Sequence, residues 1–198
     1  MDVLYQMLCA LDFLARKRVI YRDVRPDNIL WSNTGSPDAP IYRFILCDFN
    51  LCEDMGKSKS RLVGTSVYMA PEAATGQVSL TPKFDVWSLF ASMVWVYDAG
   101  GFRDQETYLK SPSEIFGILA RDSSQIRHTE EMSEMRPEER ASAAEMLAKL
   151  FDQTNPDTSC SPASRLFLRS RPLRSSARQA SPRRPGSAHS RRRGQGLP

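Results

Sequence analysis

Three polar side chains in the first quarter of the chain have types and spacing that suit metal-assisted chemistry. Asp23 and Asn28 stand five residues apart, and Asp48 follows Asn28 by twenty residues. A carboxylate can accept the proton of an attacking hydroxyl, while an amide oxygen and a second carboxylate are oxygen ligands of the kind that Mg²⁺ prefers. The trio therefore suits transfer of a phosphoryl group, with Asp23 as the base and the other two as metal ligands.

Short strands must bring these side chains together. Apolar runs at Asn28 to Trp31 and at Ile41 to Cys47 predict two strands, of which the second delivers Asp48. The turn-forming residues from Ser32 to Asp38 predict a surface loop between the strands. Pro26 fixes the backbone between the candidate base and the first candidate ligand.

Helical periodicity accounts for much of the remaining chain. Residues 84–97 are apolar nearly all round, which predicts a helix buried in the middle of a domain. Glu114 to Ala120 and Ala141 to Phe151 are two further helix candidates. Residues 1–19 predict an amphipathic helix whose apolar face carries leucines at three- and four-residue steps, namely Leu4, Leu8, Leu11 and Leu14.

The order and spacing of these segments resemble the C-terminal lobe of protein kinases. Tyr21 to Asn28 is similar to the catalytic loop H-R-D-x-x-x-x-N, and Asp48 to Asn50 is similar to the metal-binding D-F-G. Three later segments look like the family's subsequent motifs: Gly64 to Glu72, Asp85 to Ser88 and Arg136 to Ala144. The resemblance covers about residues 1–152 and implies an α+β protein-kinase-like fold, a mainly helical C-lobe with a short β-hairpin at the catalytic site.

The resemblance also implies a reaction, which is transfer of the γ-phosphoryl group of ATP to a protein hydroxyl with Mg²⁺ as cofactor. Asp23 would be the base, and Asn28 and Asp48 would bind the metal and through it the nucleotide. Arg25 would contact the transferred phosphate, where the family usually has lysine. The sequence Pro26-Asp27-Asn28 and the position of Thr65 are more similar to the serine/threonine class than to the tyrosine class.

Other residues acquire structural roles from the same resemblance. Glu72 and Arg140 would form a buried ion pair between the activation segment and the last helices. Asp85 would anchor the backbone of the catalytic loop. Phe90 stands where the family has a small residue, so its surroundings must repack. Asn50 replaces a glycine, and because Asn tolerates a positive φ the turn is expected to persist there.

Arg22 leaves two interpretations open. It could pair with a phosphate on the activation segment, for which Ser58 and Ser60 are nearby candidates. It could instead tie down a loop carbonyl. Its neighbour Tyr21, where the family usually has histidine, is expected to pack its ring in the core.

A whole protein kinase also needs a Gly-rich loop and a strand lysine in its N-lobe, and the sequence has no G-x-G-x-x-G. We therefore expect the N-lobe to be absent, nucleotide binding to be very weak, turnover by this polypeptide to be negligible, and an apolar surface to be exposed near the first helix. A second hypothesis is a non-catalytic, pseudokinase-like binding or scaffolding module. Small-molecule phosphotransferases share the base-and-metal logic, but the Ala70-Pro71-Glu72 ending argues against them.

Charge is distributed unequally along the chain. Of its 27 lysines and arginines, ten arginines follow Asp157, so residues 1–157 keep 17 basic against 23 acidic residues and a net charge of −6. We expect residues 1–157 to be the partial kinase domain and residues 158–198, rich in Arg, Ser and Pro, to be a disordered tail. The tail could make weak, nonspecific contacts with nucleic acid or an acidic partner, could be a solvated linker, or could be translated from a misassigned exon.

The sequence also bears on the compartment. It shows no apolar run approaching the roughly eighteen residues of a membrane span and no signal-like opening. Its four cysteines lack metal-ligand spacing. In a chain without a secretory signal we expect them to be reduced thiols. We therefore expect an intracellular protein, cytoplasmic or nuclear, that has a protein substrate and no membrane partner.

Overall fold

Helices predominate in the part of the chain that the structure describes. The structure is a computed structural model, and it describes residues 2–56, 66–74, 80–105, 111–121, 126 and 128–151. The helices are α1 (Asp2–Arg16), α2 (Pro71–Ala74), α3 (Lys83–Tyr97), α4 (Phe102–Gln105), α5 (Pro112–Arg121) and α6 (Ala143–Phe151). The strands are β1 (Val19–Ile20), β2 (Ile29–Asn33), β3 (Tyr42–Leu46) and β4 (Glu53–Asp54). All of them belong to one compact unit, residues 1–161.

Helix α3 forms the centre of the hydrophobic core, as its uniformly apolar sequence predicts. Every residue from Phe84 to Val94 is buried. The two serines in this stretch each bond the carbonyl one turn back, since Ser92 Oγ donates to Ser88 O at 2.8 Å and Ser88 Oγ donates to Phe84 O at 3.3 Å. A helix that is apolar on all sides gains from burial on all sides.

Helix α1 packs its leucine face into this core and contacts α3, α6 and β3. The four leucines predicted for that face are all buried: Leu4, Leu8, Leu11 and Leu14. At the junction with α6, the rings of Tyr5 and Phe151 meet edge to face, with centroids 4.9 Å apart. The predicted helices near the C-terminal end of the described chain are confirmed as α5 and α6, with bounds shifted by one or two residues.

Strands β2 and β3 form the predicted antiparallel hairpin. The register places Ile29 opposite Leu46 and Leu30 opposite Ile45. Because directly opposed residues share a face of the sheet, the first pair lies against the core while the second faces outward. Leu30 remains 55% exposed and Ile45 remains 47% exposed, whereas Leu46 is buried.

The edge of β3 that is not paired with β2 is in contact with α1. Gln6 accepts a hydrogen bond from Phe44 N at Oε1, at 2.9 Å, and donates from Nε2 to Tyr42 O at 3.0 Å. One helical side chain thus satisfies both a donor and an acceptor of the strand backbone. These bonds fix the hairpin on the helix.

The second sheet, β1 with β4, was not indicated by the sequence. Its two strands are antiparallel, with Val19 opposite Asp54 and Ile20 opposite Glu53. A further bond runs from Met55 N to Arg18 O at 2.8 Å. This sheet joins the segment that precedes Asp23 to the segment that follows Asp48.

Apolar side chains are exposed on the β2–β3 hairpin, close to the first helix, as predicted. They are Leu30, Trp31, Ile41, Tyr42 and Ile45. The register places Leu30 and Ile45 on one face of the hairpin and Trp31 and Tyr42 on the other. The rings of Trp31 and Tyr42 lie edge to face with centroids 5.9 Å apart. Among the described residues, no helix has both the length and the apolar character to cross a membrane.

Candidate active site

The turn at Pro26–Asn28 brings Asn28 back onto Asp23. This 3-10 turn has proline at its start, where the missing N–H would have no partner in the turn. Asn28 Nδ2 donates to the Asp23 backbone oxygen at 2.9 Å and to Asp23 Oδ2 at 2.8 Å. Two of the predicted site residues are therefore in direct contact. The amide nitrogen of Asn28 is hydrogen-bonded to Asp23. Its amide oxygen, Oδ1, is therefore the atom that could coordinate a cation.

Asp85, in the first turn of α3, holds the backbone on the other side of Asp23. Its Oδ2 accepts from Tyr21 N at 2.7 Å and its Oδ1 accepts from Arg22 N at 2.8 Å. Arg22 has a φ of 71°, so the chain turns sharply just before Asp23. The predicted anchor is thus confirmed. Burial raises the pKa of Asp85 to about 7, although the two N–H donors and the charge of Arg22 act to lower it.

Tyr21 links the loop of Asp23 to the residue that precedes Asp48. Its hydroxyl donates to Cys47 O, and its ring packs edge to face on Phe49 with centroids 5.2 Å apart. The whole side chain is buried, so the predicted packing in the core is confirmed. Burial, followed by the neighbouring Cys47, raises the pKa of the Tyr21 hydroxyl above its usual range, and the group therefore stays a hydrogen-bond donor.

Arg22 binds the segment after Asp48. Its Nε donates to Leu51 O at 2.7 Å, and its guanidinium pairs with the carboxylate of Glu53. The interpretation that Arg22 ties down a loop carbonyl is confirmed, while Ser58 and Ser60 lie outside the described residues. The sequence did not indicate Glu53 as a partner, because strand β4, which positions it, is too short for a periodic signal.

The turn at the predicted metal-binding loop persists, as expected, with Cys52 N donating to Phe49 O at 3.2 Å. The residue with a positive φ is Asp48, at 57°, and not Asn50, so the turn does not use the tolerance of Asn for that conformation. Asp48 Oδ1 accepts a hydrogen bond from Asn50 N at 3.3 Å. A short carboxylate that bonds the backbone two residues on makes the left-handed conformation accessible to Asp.

Arg25 lies beside the candidate base but is held by other groups. Its Nε donates to Asp27 Oδ2 at 2.9 Å, and its guanidinium lies 5.9 Å from the centre of the Tyr68 ring. The pair with Asp27 is largely exposed, and such pairs contribute little, about 0–1 kcal/mol. The contact with Asp27 therefore adds little to what holds Arg25 in place.

The predicted ion pair between Glu72 and Arg140 is confirmed. Arg140 donates to both carboxylate oxygens of Glu72, at 2.8 and 2.9 Å, and both side chains are buried. Arg140 also donates to Lys83 O at 3.0 Å, and its guanidinium lies 5.2 Å from the Trp87 ring centre. The large ring of Phe90 is accommodated edge to face against Trp87, with centroids 6.1 Å apart.

The donor set at the site fits Mg²⁺. Over the described part of the chain, no group of three or more His, Cys, Asp or Glu side chains is arranged to hold a metal ion. Mg²⁺ does not require such a cage, since it is usually bound by one or two carboxylates together with water and substrate phosphates. The Asn28 amide oxygen and the Asp48 carboxylate are ligands of this type.

Comparison with known proteins identifies the family. A model of the protein kinase domain matches residues 1–157, and the chain belongs to that family. Members of the family generally use ATP and Mg²⁺ and act on proteins.

Relatives of this chain carry serine/threonine kinase names, in line with the class expected from Pro26-Asp27-Asn28. The chain is 30% identical over 160 residues to the serine/threonine-protein kinase PAK 1 of Mus musculus, covering 74% of this chain and 27% of that protein. It is 29% identical over 156 residues to the serine/threonine-protein kinase STE20 of Saccharomyces cerevisiae, covering 72% and 15%. It is 39% identical over 92 residues to the mitogen-activated protein kinase kinase MKK2 of Pyricularia oryzae, covering 46% and 16%. The chain thus spans less than a third of the length of each of these relatives.

Proposed function

We propose that the protein transfers the γ-phosphoryl group of ATP to serine or threonine hydroxyls of protein substrates. The observation that carries the proposal is the contact of Asn28 Nδ2 with both the backbone and the carboxylate of Asp23. This contact orients a candidate base and a candidate metal ligand toward each other. The same loop is held by two further contacts. Asp85 accepts a hydrogen bond from Tyr21 N. The Tyr21 hydroxyl donates to the backbone oxygen of Cys47, the residue before Asp48.

Each site residue has a defined task in this proposal. Asp23 accepts the proton of the substrate hydroxyl, while its Oδ2 stays hydrogen-bonded to Asn28. The Asn28 amide oxygen and the Asp48 carboxylate hold Mg²⁺, and bound ATP with Mg²⁺ supplies the transferable phosphoryl group and neutralises its charge. Arg25 exchanges its contact with Asp27 for the transferred phosphate.

We further propose that these 198 residues comprise only the C-lobe and turn over negligibly on their own. The proposal is supported by the lack of a G-x-G-x-x-G in the sequence and by the apolar side chains exposed on the β2–β3 hairpin. The same exposed hairpin favours the alternative of a non-catalytic binding or scaffolding module. Residues 158–198, to which the nucleic-acid hypothesis refers, lie outside the described residues.

The test begins with the protein tagged at its own genomic locus and purified from its source. A polypeptide clearly larger than 22.4 kDa would support an additional lobe, and its phosphotransfer to a serine peptide and to a matched tyrosine peptide would then be measured. Asp23→Asn removes the base, so we expect transfer to the serine peptide to fall by about 100-fold or more, with unchanged thermal stability.

Asp38→Asn, which makes the same chemical change in the exposed loop between β2 and β3, is the matched control and should keep full activity. Transfer that survives Asp23→Asn above about a tenth of the wild-type rate would contradict the base assignment. Partner binding that persists without any transfer would favour the scaffolding module.

A further inference from the structure

The two loops that carry the candidate site carboxylates are joined by an ion pair. Arg22 directly precedes Asp23, and Glu53 follows Asp48 by five residues. The guanidinium of Arg22 pairs with the carboxylate of Glu53, while its Nε donates to Leu51 O at 2.7 Å. The pair therefore spans the gap between the loop of Asp23 and the loop of Asp48.

Both ends of this connection are fixed by backbone structure. At one end, Asp85 Oδ1 accepts from Arg22 N at 2.8 Å, in the sharp turn where Arg22 has a φ of 71°. At the other end, Glu53 lies in β4 directly opposite Ile20 of β1. Because the backbone on both sides is held, the side chains have little freedom to separate without moving one of the loops.

The pair is also shielded from water. The side chain of Arg22 is 11% exposed and that of Glu53 is 22% exposed, in contrast to the pair of Arg25 with Asp27, where the carboxylate is 69% exposed. A shielded pair is screened less by salt than an exposed one, and its geometry is better defined. Glu53 thus places a fixed negative charge against Arg22 without any modification of the chain.

We propose that Glu53 is a positioning residue of the site. Through Arg22 it sets the separation between the Asp23 loop and the Asp48 loop, and so sets how well Asn28 and Asp48 share one Mg²⁺. This proposal rests on the proposed kinase function. It has a regulatory corollary, since an internal carboxylate already occupies Arg22 and a phosphate on Ser58 or Ser60 is not needed to order the site.

The variant that tests the proposal is Glu53→Gln, which keeps the size of the side chain and removes its charge. In the complete protein we expect the Mg²⁺ concentration for half-maximal phosphotransfer to rise about tenfold, the lower end of what loss of an outer-shell partner costs a metal site. A merely structural role for Glu53 would lower the amount of active protein and leave the half-saturating Mg²⁺ concentration where it is. Asp38→Asn is the matched control for the loss of one negative charge.

A second readout does not depend on turnover. Hydrogen exchange is measured by mass spectrometry on the 198-residue chain and on its Glu53→Gln variant. We expect faster exchange in both 18–23 and 47–56, with 84–94 of α3 unchanged. Unchanged exchange in those two segments would overturn the connection whether or not the protein transfers phosphate. Faster exchange in both segments together with an unchanged half-saturating Mg²⁺ concentration would overturn the positioning role.

Absence of phosphotransfer in the wild-type protein would refute the proposed function, and with it the positioning role, whereas the exchange measurement would still decide whether the two loops are joined. The regulatory corollary is tested by Ser58→Ala combined with Ser60→Ala. We expect this double variant to keep the wild-type rate and Mg²⁺ response. A tenfold or greater loss of rate on removing the two hydroxyls would overturn the corollary.

Discussion

Two opposing influences act on the charge of Asp85. Its carboxylate accepts hydrogen bonds from Tyr21 N and Arg22 N, which favour the ionised form, but the side chain is fully enclosed and burial favours the neutral form. The second influence dominates, and the pKa rises from 3.8 to about 7. The residue that anchors the backbone just before Asp23 thus has a pKa close to physiological pH.

This pKa gives the fold a predictable response to acid. Because the folded pKa lies above the unfolded one, the folded protein binds more protons between pH 4 and 7, and Asp85 adds stability as the pH falls through that window. Between pH 7 and pH 5 the gain from this group alone is about 2 kcal/mol. We expect the difference in unfolding free energy between wild type and Asp85→Asn, measured with urea, to grow by that amount at pH 5.

Contributions from the other titrating groups cancel in that difference because both proteins contain them. The matched control is Asp38→Asn, measured in the same way. A wild-type-minus-Asp85→Asn difference that is constant from pH 7 to pH 5 would show that Asp85 stays ionised in the folded protein.

Sequence spacing predicts some of the residue contacts and misses others for physical reasons. The contact of Asp23 with Asn28 is local, and a proline between them restricts the backbone, so the five-residue spacing was informative. The partner of Arg22 lies 31 residues away and depends on pairing of β1 with β4. The position of the left-handed residue, Asp48 rather than Asn50, depends on one side-chain hydrogen bond that spacing does not reveal.

At the scale of elements, the Glu72–Arg140 pair joins helix α2 to the segment that leads into α6. Both oxygens of the carboxylate are bonded by Arg140, and the guanidinium also binds Lys83 O at the start of α3. Three parts of the fold therefore meet at one buried cation. Removal of its partner would leave that cation without compensation.

We therefore expect Glu72→Ala to lower the free energy of unfolding by about 3–5 kcal/mol, measured from the urea midpoint and slope. Glu138→Ala removes an exposed carboxylate from the same region and should change stability by less than about 0.5 kcal/mol. A loss for Glu72→Ala as small as that of the control would mean that water or another group compensates Arg140.

The sequence signal for an element scaled with its length. Helix α3 has 15 residues and is apolar all round, and α1 repeats leucine over 15 residues, so both were predicted within a few residues. Strands β1 and β4 have two residues each, and helices α2 and α4 have four, which is too few to show a period. These short elements owe their conformation to the contacts around them.

At the scale of the whole molecule, we propose that residues 158–198 do not contribute to the stability of the kinase-domain residues 1–157. A chain that ends at residue 157 should then unfold at the same urea midpoint as the full chain, because the tail composition offers little apolar surface to bury. The comparison uses circular dichroism at matched salt. A lower midpoint for the shorter chain would show that the tail supports the fold.

Truncation at residue 141 provides the contrasting control. It removes α6, whose Ala143 and Met146 are buried in the core next to α1. We expect that shorter chain to lose cooperative unfolding, which would show that the assay responds to the loss of a packed element.

The amide of Gln6 has a consequence for how molecules of this protein can meet. A strand adds to a sheet by exchanging N–H and C=O bonds with the unpaired edge, and uncapped edges are the sites of fibrous self-assembly. Gln6 presents the same donor and acceptor to Phe44 and Tyr42 that an incoming strand would present. At those two residues β3 is closed to strand addition by a single side chain, so a strand that adds to the hairpin there must first displace Gln6.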